Sequence, residues 1–374
     1  MNIEEKKDWI ALNLLSYKKP DIFIKLHQHY GSGTEILKAG RSGFQDIEWL
    51  DNKKKSSTIS ILYGEIVDKE LEVIEKQRVQ IITVEDEDYP ELLREISAPP
   101  PVLYCRGNLK KEFTGIAVVG TRNPTEYGKM MAEKLSSQLA INGIAVVSGM
   151  ARGIDTIAHK SALGSNGYTI AVLGSGIDMV YPPENGKLYN EICEKGAVIS
   201  EFPMGSSPHK KNFPRRNRIV SGMSRAILVI EAGERSGTLI TARFAIEQNR
   251  DVFAVPGRVT SSRSKGTNGL IKKGAILTES FDDIAEHLGV EFKREFSENS
   301  TRSDDKDSKK PIAFSEDSVE AAVLSFLDDS PKHIDLISRE CGMGIPQISS
   351  ILMKLEIYGA VRQVSGKMFV RNYL

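Results

Sequence analysis

Between residues 115 and 255 the chain repeats one pattern: a short, β-branched, almost wholly apolar run, then a stretch with helical spacing. The runs are Gly115–Val119, Ile144–Val147, Tyr168–Leu173, Ala197–Ser200, Ala226–Ile230 and Val252–Val255, with helical stretches such as Glu126–Ile141 and Thr238–Gln248 between them. A strand wetted on one face alternates polar with apolar residues, whereas a strand that is apolar throughout is covered on both faces. Covered strands separated by helices imply a doubly wound α/β fold, a parallel sheet with helices on either side, over residues 80–290.

The flanks read differently. Residues 1–75 suggest short helices at Asp8–Leu15, Ile22–His29 and Thr34–Ala39, broken by Gly31, Gly33 and Gly40. Such helices can grip a DNA backbone through their turns, but acids dilute the basic residues here, and a packed helical cap or protein contact is the better reading. Residues 291–311 are mostly charged residues, Ser and Asn, as in a flexible linker. Beyond it, Glu316–Leu327, Ile334–Cys341 and Pro346–Tyr358 read as amphipathic helices. Val361–Val364 and Lys367–Val370 flank Ser365-Gly366 as a hairpin, which completes the plan of a winged helix over 312–374.

Charge narrows the function. Lys plus Arg number 50 and Asp plus Glu number 50, yet residues 202–230 and 252–278 contain no acid at all. The first window holds Lys210, Lys211, Arg215, Arg216, Arg218 and Arg225; the second holds Arg258, Arg263, Lys265, Lys272 and Lys273. Segregated positive charge on a neutral protein suits a polyanion. Ligands of open parallel sheets bind where the strands end. At those ends lie Gly120-Thr121-Arg122, Ser148-Gly149-Met150-Ala151-Arg152, Gly174-Ser175-Gly176 and Ser236-Gly237-Thr238. Small residues there let backbone N–H groups reach an anion, and Arg122 and Arg152 add full charges. A tight turn needs Gly for its own geometry, so a single turn proves little; several on one rim favour an anion site. Asn212-Phe213-Pro214-Arg215-Arg216-Asn217-Arg218 would add forked phosphate contacts and a base-reading amide. The bland alternative is an ion pair between one or more of these arginines, Arg218 above all, and a buried acid such as Glu201 or Glu231. Tyr127, Tyr181 and Phe213 are candidates for stacking on bases, though each also suits a core.

Other chemistries find little support. Gly174-Ser175-Gly176 lacks the third glycine of a dinucleotide fingerprint, and Gly128-Lys129 lacks a phosphate loop, so neither NAD nor ATP is expected. Cys105, Cys193 and Cys341 are far apart, with no metal spacing or disulfide framework, consistent with a reducing cytoplasm. The charged start and the lack of a long apolar run suggest neither a signal peptide nor a membrane span. Asp155 and His159, four apart on one helix, form the best acid–base candidate, but a structural hydrogen bond is the better reading. No cofactor, metal or catalytic residue is expected.

Together these motifs resemble the DprA/Smf family of bacterial DNA-processing proteins. The resemblance rests on Val119-Gly120-Thr121-Arg122, Ser148-Gly149-Met150-Ala151-Arg152-Gly153-Ile154-Asp155, Leu173-Gly174-Ser175-Gly176-Ile177-Asp178 with Tyr181-Pro182, Ser200-Glu201-Phe202-Pro203, Phe213-Pro214-Arg215-Arg216-Asn217-Arg218, Ser236-Gly237-Thr238 and Val255-Pro256-Gly257 with Gly266-Thr267-Asn268. It is dense over 110–280. The flanks are similar, more weakly, to the family's N-terminal helical domain (of a SAM or helix-hairpin-helix type) and C-terminal winged helix. The resemblance implies an extended Rossmann domain that binds single-stranded DNA without catalysis, forms homodimers and loads RecA recombinase in natural transformation. It places Arg122 as a phosphate ligand and Lys210, Arg215 and Lys187 on a basic lip. Gly120, Ser148, Gly149, Ser236 and Gly237 would line the pocket, with Thr121, Arg152, Lys211, Phe213, Arg216, Asn217, Arg218 and Thr238 nearby. Leu270, Ile271 and Ile276 would form the dimer surface. Lys354 is the sole base on the third winged-helix helix, which argues for a protein contact there. Two other functions stay open: a phosphoribohydrolase-like nucleotide enzyme using Glu231, and a winged-helix regulator reading duplex DNA.

Overall fold

A computed structural model describes residues 6–44, 47–289, 318–328 and 330–371. The segment expected to be a linker, 291–311, lies outside the described residues. Contacts divide the chain into two compact units, the larger holding residues up to 124 with 131–289, the smaller 125–130 with those from 318 onward.

The larger unit begins with α1 (Lys7–Lys18), α2 (Pro20–Tyr30), α3 (Gly33–Gly43), α4 (Asn52–Leu62) and α5 (Glu65–Lys76). It continues with β1 (Gln80–Thr83), the single turn α6 (Glu91–Arg94) and β2 (Val102–Gly107). The alternating region follows: β3 (Gly115–Val119), α7 (Glu126–Ile141), β4 (Ala145–Ser148), α8 (Ile154–Gly164), β5 (Thr169–Val172), α9 (Gly186–Lys195) and β6 (Ala197–Ser200). It closes with α10 (Asn212–Gly222), β7 (Ala226–Val229), α11 (Thr238–Glu247), β8 (Asp251–Ala254), α12 (Lys265–Lys272), β9 (Ile276–Leu277) and α13 (Phe281–Leu288). Strands β3 to β8 fall on the apolar runs read from the sequence, within one or two residues at each end.

The sheet order is β1-β2-β6-β5-β4-β3-β7-β8-β9. From β6 to β9 every pairing is parallel; β2 joins β6, and β1 joins β2, antiparallel. Every residue of β3 to β7 is buried, as strands covered on both faces require. After β3 the chain builds outward through β4, β5 and β6, then returns to place β7 on the other side of β3. That reversal leaves a crevice at the ends of β3 and β7. Helix α1 is buried against one sheet face: Ile10, Leu12 and Leu15 are fully inaccessible and share a cluster with Tyr104, Leu173 and Val198.

The smaller unit is a winged helix. It contains α14 (Val319–Ser325), β10 (Lys332–His333), α15 (Ile334–Cys341), α16 (Ile345–Ile357), β11 (Val361–Val364) and β12 (Met368–Arg371), the strands pairing in the order β10-β12-β11. Ile337, Ile348, Leu352 and Leu355 form its core with Val323 and Phe369. On α16, Lys354 donates to Glu320 Oε1 at 2.6 Å, so the one base of that helix is already engaged.

Candidate nucleic-acid interface

The crevice at the β3/β7 reversal is a cleft of about 600 Å³. Three turns form its floor and sides: Gly120–Arg122 after β3, Gly149 and Ala151 after β4, and Ser236–Thr238 opening α11. The first half of α10 closes it, contributing Phe213, Pro214, Arg216 and Asn217, with Lys210 just before the helix and Tyr181 opposite. Of the residues expected to bind a strand, Gly120, Thr121, Arg122, Gly149, Lys210, Phe213, Arg216, Asn217, Ser236, Gly237 and Thr238 therefore converge.

Arg122 is exposed at the mouth, its guanidinium 5.5 Å from the centre of the Phe213 ring. Tyr181 meets the same ring at 5.7 Å with a 41° tilt. Among the described residues no salt bridge engages Arg122. A cation on an aromatic step offers an unpaired nucleotide a phosphate partner beside a stacking surface.

Arg216 behaves differently. It is 5% exposed, and its Nη1 donates to the carbonyls of Gly149 and Val172, both at 2.5 Å, while Nε donates to Asn217 Oδ1 at 3.1 Å. It thus forms the cationic floor of the cleft, tying the β4 turn to the end of β5. Below it, Asp155 Oδ2 accepts from the N–H groups of Gly149 and Ala151 at 3.2 and 3.3 Å. Burial pushes the Asp155 carboxyl up, opposed by the Arg216 charge. Asp155 therefore fastens the turn, and the Gly149 N–H, expected to be an anion donor, is already occupied.

The glycines owe their places mainly to packing. A Cβ at Gly120 would lie 2.5 Å from Ile154 Cγ1, and one at Gly174 2.8 Å from Phe213 Cδ1; at Gly149 it would fall on the Arg216 guanidinium. Gly237 alone of these four meets nothing within 4 Å, leaving the start of α11 open to a ligand.

Several expected ligands are turned elsewhere. Glu201 is fully buried at the end of β6, and its Oε2 takes Arg218 Nη2 at 2.5 Å and Arg215 Nη2 at 3.1 Å. Arg218 also donates to Ala98 O, and Arg215 to the backbone and hydroxyl of Ser16 on α1. These two arginines brace the N-terminal helices and the β2 flank, so the bland reading, which the sequence offered only as the lesser alternative and for Arg218 above all, holds for both. Ser148 is inaccessible and donates to Val118 O at 2.7 Å, which removes its hydroxyl from the cleft. Arg152 pairs with Glu184 on the open surface, at the edge of a narrow slot beside the cleft. Lys211 and Lys187 are exposed at the starts of α10 and α9, outside the lining of the cleft.

The acid–base candidate comes apart. His159 Nδ1 lies 2.7 Å from Thr169 Oγ1, whose hydroxyl donates to Val146 O, so the ring nitrogen is the donor of that contact. Burial lowers its pKa to about 3. Asp155 and His159 serve separate structural bonds. Glu231, the acid of the enzymatic alternative, is 4% exposed. Among the described residues no cluster of His, Cys, Asp and Glu could hold a metal, and no helix is long and apolar enough to cross a membrane.

Ala151, read as part of the β4 turn, and Tyr181, read as a stacking candidate, do line the cleft, whereas Asp155, Ile240 and Thr241 were not expected among its lining residues. Asp155 was visible only as half of a catalytic pair, because its role depends on N–H groups that the fold folds back over it.

Residues 80–289 match the family described as DNA recombination-mediator protein A, and residues 307–367 match the DprA winged helix domain. Protein Smf of Synechocystis is 34% identical over 98% of this chain and 99% of its own length. The DNA processing protein DprA of Bacillus subtilis is 40% identical over 57% of this chain and 72% of its own length. Among solved structures, DprA from Streptococcus pneumoniae superposes with a TM-score of 0.62 at 35% identity, covering 78% of this chain and 97% of that one. DprA from Helicobacter pylori, described by its single-stranded DNA binding mode, superposes at 0.52 with 33% identity, covering 57% of this chain and 97% of that one.

Proposed function

Because the chain belongs to the DprA/Smf family, we propose that its β3/β7 cleft binds single-stranded DNA and that the protein delivers the bound strand to RecA recombinase. The observation that carries the reading is Arg122, exposed over the Phe213 ring at the reversal of strand order. Arg122 and Lys210 take phosphates, Arg216 supplies fixed positive potential from the floor, and Phe213 with Tyr181 accepts a base. The exposed Arg122 and Lys210 on the cleft's lining suit a flexible strand, and the engaged base of α16 argues against duplex reading by the winged helix. The role is binding rather than turnover: Asp155 and His159 are each committed to structural bonds. Delivery in natural transformation or recombination, in the cytoplasm and by a homodimer joined near Leu270, Ile271 and Ile276, completes the proposal. Support for that surface is that β9 is the outer strand of the sheet and its Leu277 is 45% exposed.

The test is a salt titration of binding to single-stranded and duplex oligonucleotides of equal length. With about four phosphates neutralised, log affinity for the single strand should fall against log salt with a slope near −3. Arg122→Ala should weaken binding to every sequence and flatten that slope by about 0.7 units, one contact's share. Unchanged affinity and slope would remove Arg122 from the interface. Delivery is read separately, as RecA filament formation on strands already covered by a single-strand-binding protein.

A further inference from the structure

The second acid-free window divides in three dimensions. Helix α12 has eight residues, about 12 Å of axis, so Lys272 and Lys273 lie at the far end from Lys265. Arg258, Arg263 and Lys265 instead occupy the loop and helix start that follow β8, on the same sheet edge as the cleft. All three are exposed.

This loop is fixed to the cleft's rim. Arg263 Nη1 donates to the carbonyl of Asn123, next to Arg122. The Gly266 N–H donates to Ala232 O at 2.8 Å, and Gly266 sits so close to the turn after β7 that a Cβ would be 2.6 Å from Ala232 O. Asn268 clamps the loop's start: its Oδ1 accepts from Gly257 N at 3.2 Å and its Nδ2 donates to Gly257 O at 2.9 Å. Across from it, the turn after β7 exposes Arg235. Glu234 is the one exposed carboxylate on these two turns, Glu231 being buried, against Arg235, Arg258, Arg263 and Lys265. The backbone of this cationic shelf is therefore fastened next to the cleft at both ends, with Arg263 tied to the rim, before a ligand arrives.

We propose that the loop from Gly257 to Lys265, with Arg235, is a second phosphate-binding segment that carries a single strand onward as it leaves the cleft on the β7/β8 side. The inference rests on the cleft being a single-strand site. It assigns the shelf a length-dependent role: a short strand fills the cleft alone, and only a longer one reaches Arg235 and Lys265.

The experiment compares wild type, Arg235→Ala/Lys265→Ala and Arg122→Ala on oligothymidylates of about 6 and about 25 nucleotides, in the full-length protein. Both substituted shelf side chains are exposed, so thermal stability should hardly move. On the long strand the double variant should flatten the salt slope by about 1.4 units, two contacts at about 0.7 each. With an unchanged intercept at 1 M, that is a loss of roughly 25-fold at 0.1 M salt. On the short strand it should bind as wild type does, while Arg122→Ala should weaken both. Equal losses on both lengths would mean a diffuse field effect and overturn the shelf. A double variant with the wild-type slope on the long strand, while Arg122→Ala still weakens binding, overturns it too and leaves the cleft standing. If Arg122→Ala is also silent, the cleft reading itself has failed.

Discussion

Replacing Glu201 by Gln tests the division of labour among the arginines of α10. The carboxylate is fully buried and Oε2 holds two guanidinium groups, at 2.5 and 3.1 Å, from Arg218 and Arg215, which are themselves 14% and 24% exposed. Asn13 Nδ2 donates to the Glu201 carbonyl at 3.0 Å, so α1 is anchored at the same point. Gln preserves size and one acceptor but leaves two partly buried cations without their counter-ion. Removing one partner from a buried ion pair costs about 3–5 kcal/mol, and the retained amide together with residual solvent puts this case near 3. For a unit of this size each kcal/mol lowers Tm by about 2–4 °C, so differential scanning calorimetry should show a fall of roughly 6–12 °C. Glu184→Gln is the internal control. It breaks the pair with Arg152, whose partners are 56% and 52% exposed, and should shift Tm by no more than about 2 °C. A Glu201→Gln transition within about 2 °C of wild type would refute the claim that Arg215 and Arg218 serve the framework, and would return them to the list of strand ligands.

Two further outcomes follow from the same geometry. Gly174→Ala should push the Phe213 ring away from its place, since the new Cβ would start 2.8 Å from Cδ1. Loss of one stacked base is worth about 1–3 kcal/mol, so affinity for a single strand should fall about 5- to 150-fold with little change in salt slope, as measured by fluorescence anisotropy. His159, with its pKa lowered to about 3 by burial, is neutral in the fold but takes a proton once unfolded, below about pH 6.5. The unfolded state therefore binds more protons between those values, and stability falls with falling pH by up to about 1.4 kcal/mol per unit. Relative to His159→Asn, wild type should lose its advantage steadily from pH 6.5 downward in urea titrations; a constant difference between the two would show that the imidazole is not held neutral.

The parallel core was legible because covered strands carry their signature in each residue. Runs such as Ala226–Ile230 have no solvent face to encode, and β7 appears within one residue of that run. The outer strands gave no such signal. Gln80–Thr83 is short with an exposed end, Val102–Gly107 follows the prolines at 99–101, and Ile276–Leu277 is two residues long. Helix α4 was missed for a similar reason: it places Thr58 and Leu62 inward amid Lys and Ser, a weak apolar stripe, whereas α5, with Val67, Leu71 and Ile74 at helical spacing, carried a legible signal that was passed over. The winged helix was readable because Ile337, Ile348, Leu352 and Leu355 recur at helical spacing around one core.

Sequence by itself determined that the protein would have a parallel α/β core, glycine-rich turns at the strand ends, and cations gathered into two stretches. Those are properties of neighbouring residues, written in composition and period. Which cations face a ligand is not such a property. Arg215, Arg216 and Arg218 stand within four positions of one another on α10, yet helical rotation sends Arg216 under the cleft and the other two to Glu201, 14 and 17 residues earlier in the chain. Only the tertiary placement of the residue after β6 beside α10, which brings a buried carboxylate within reach, decided that, because the energy of a charge is set by what lies around it in space.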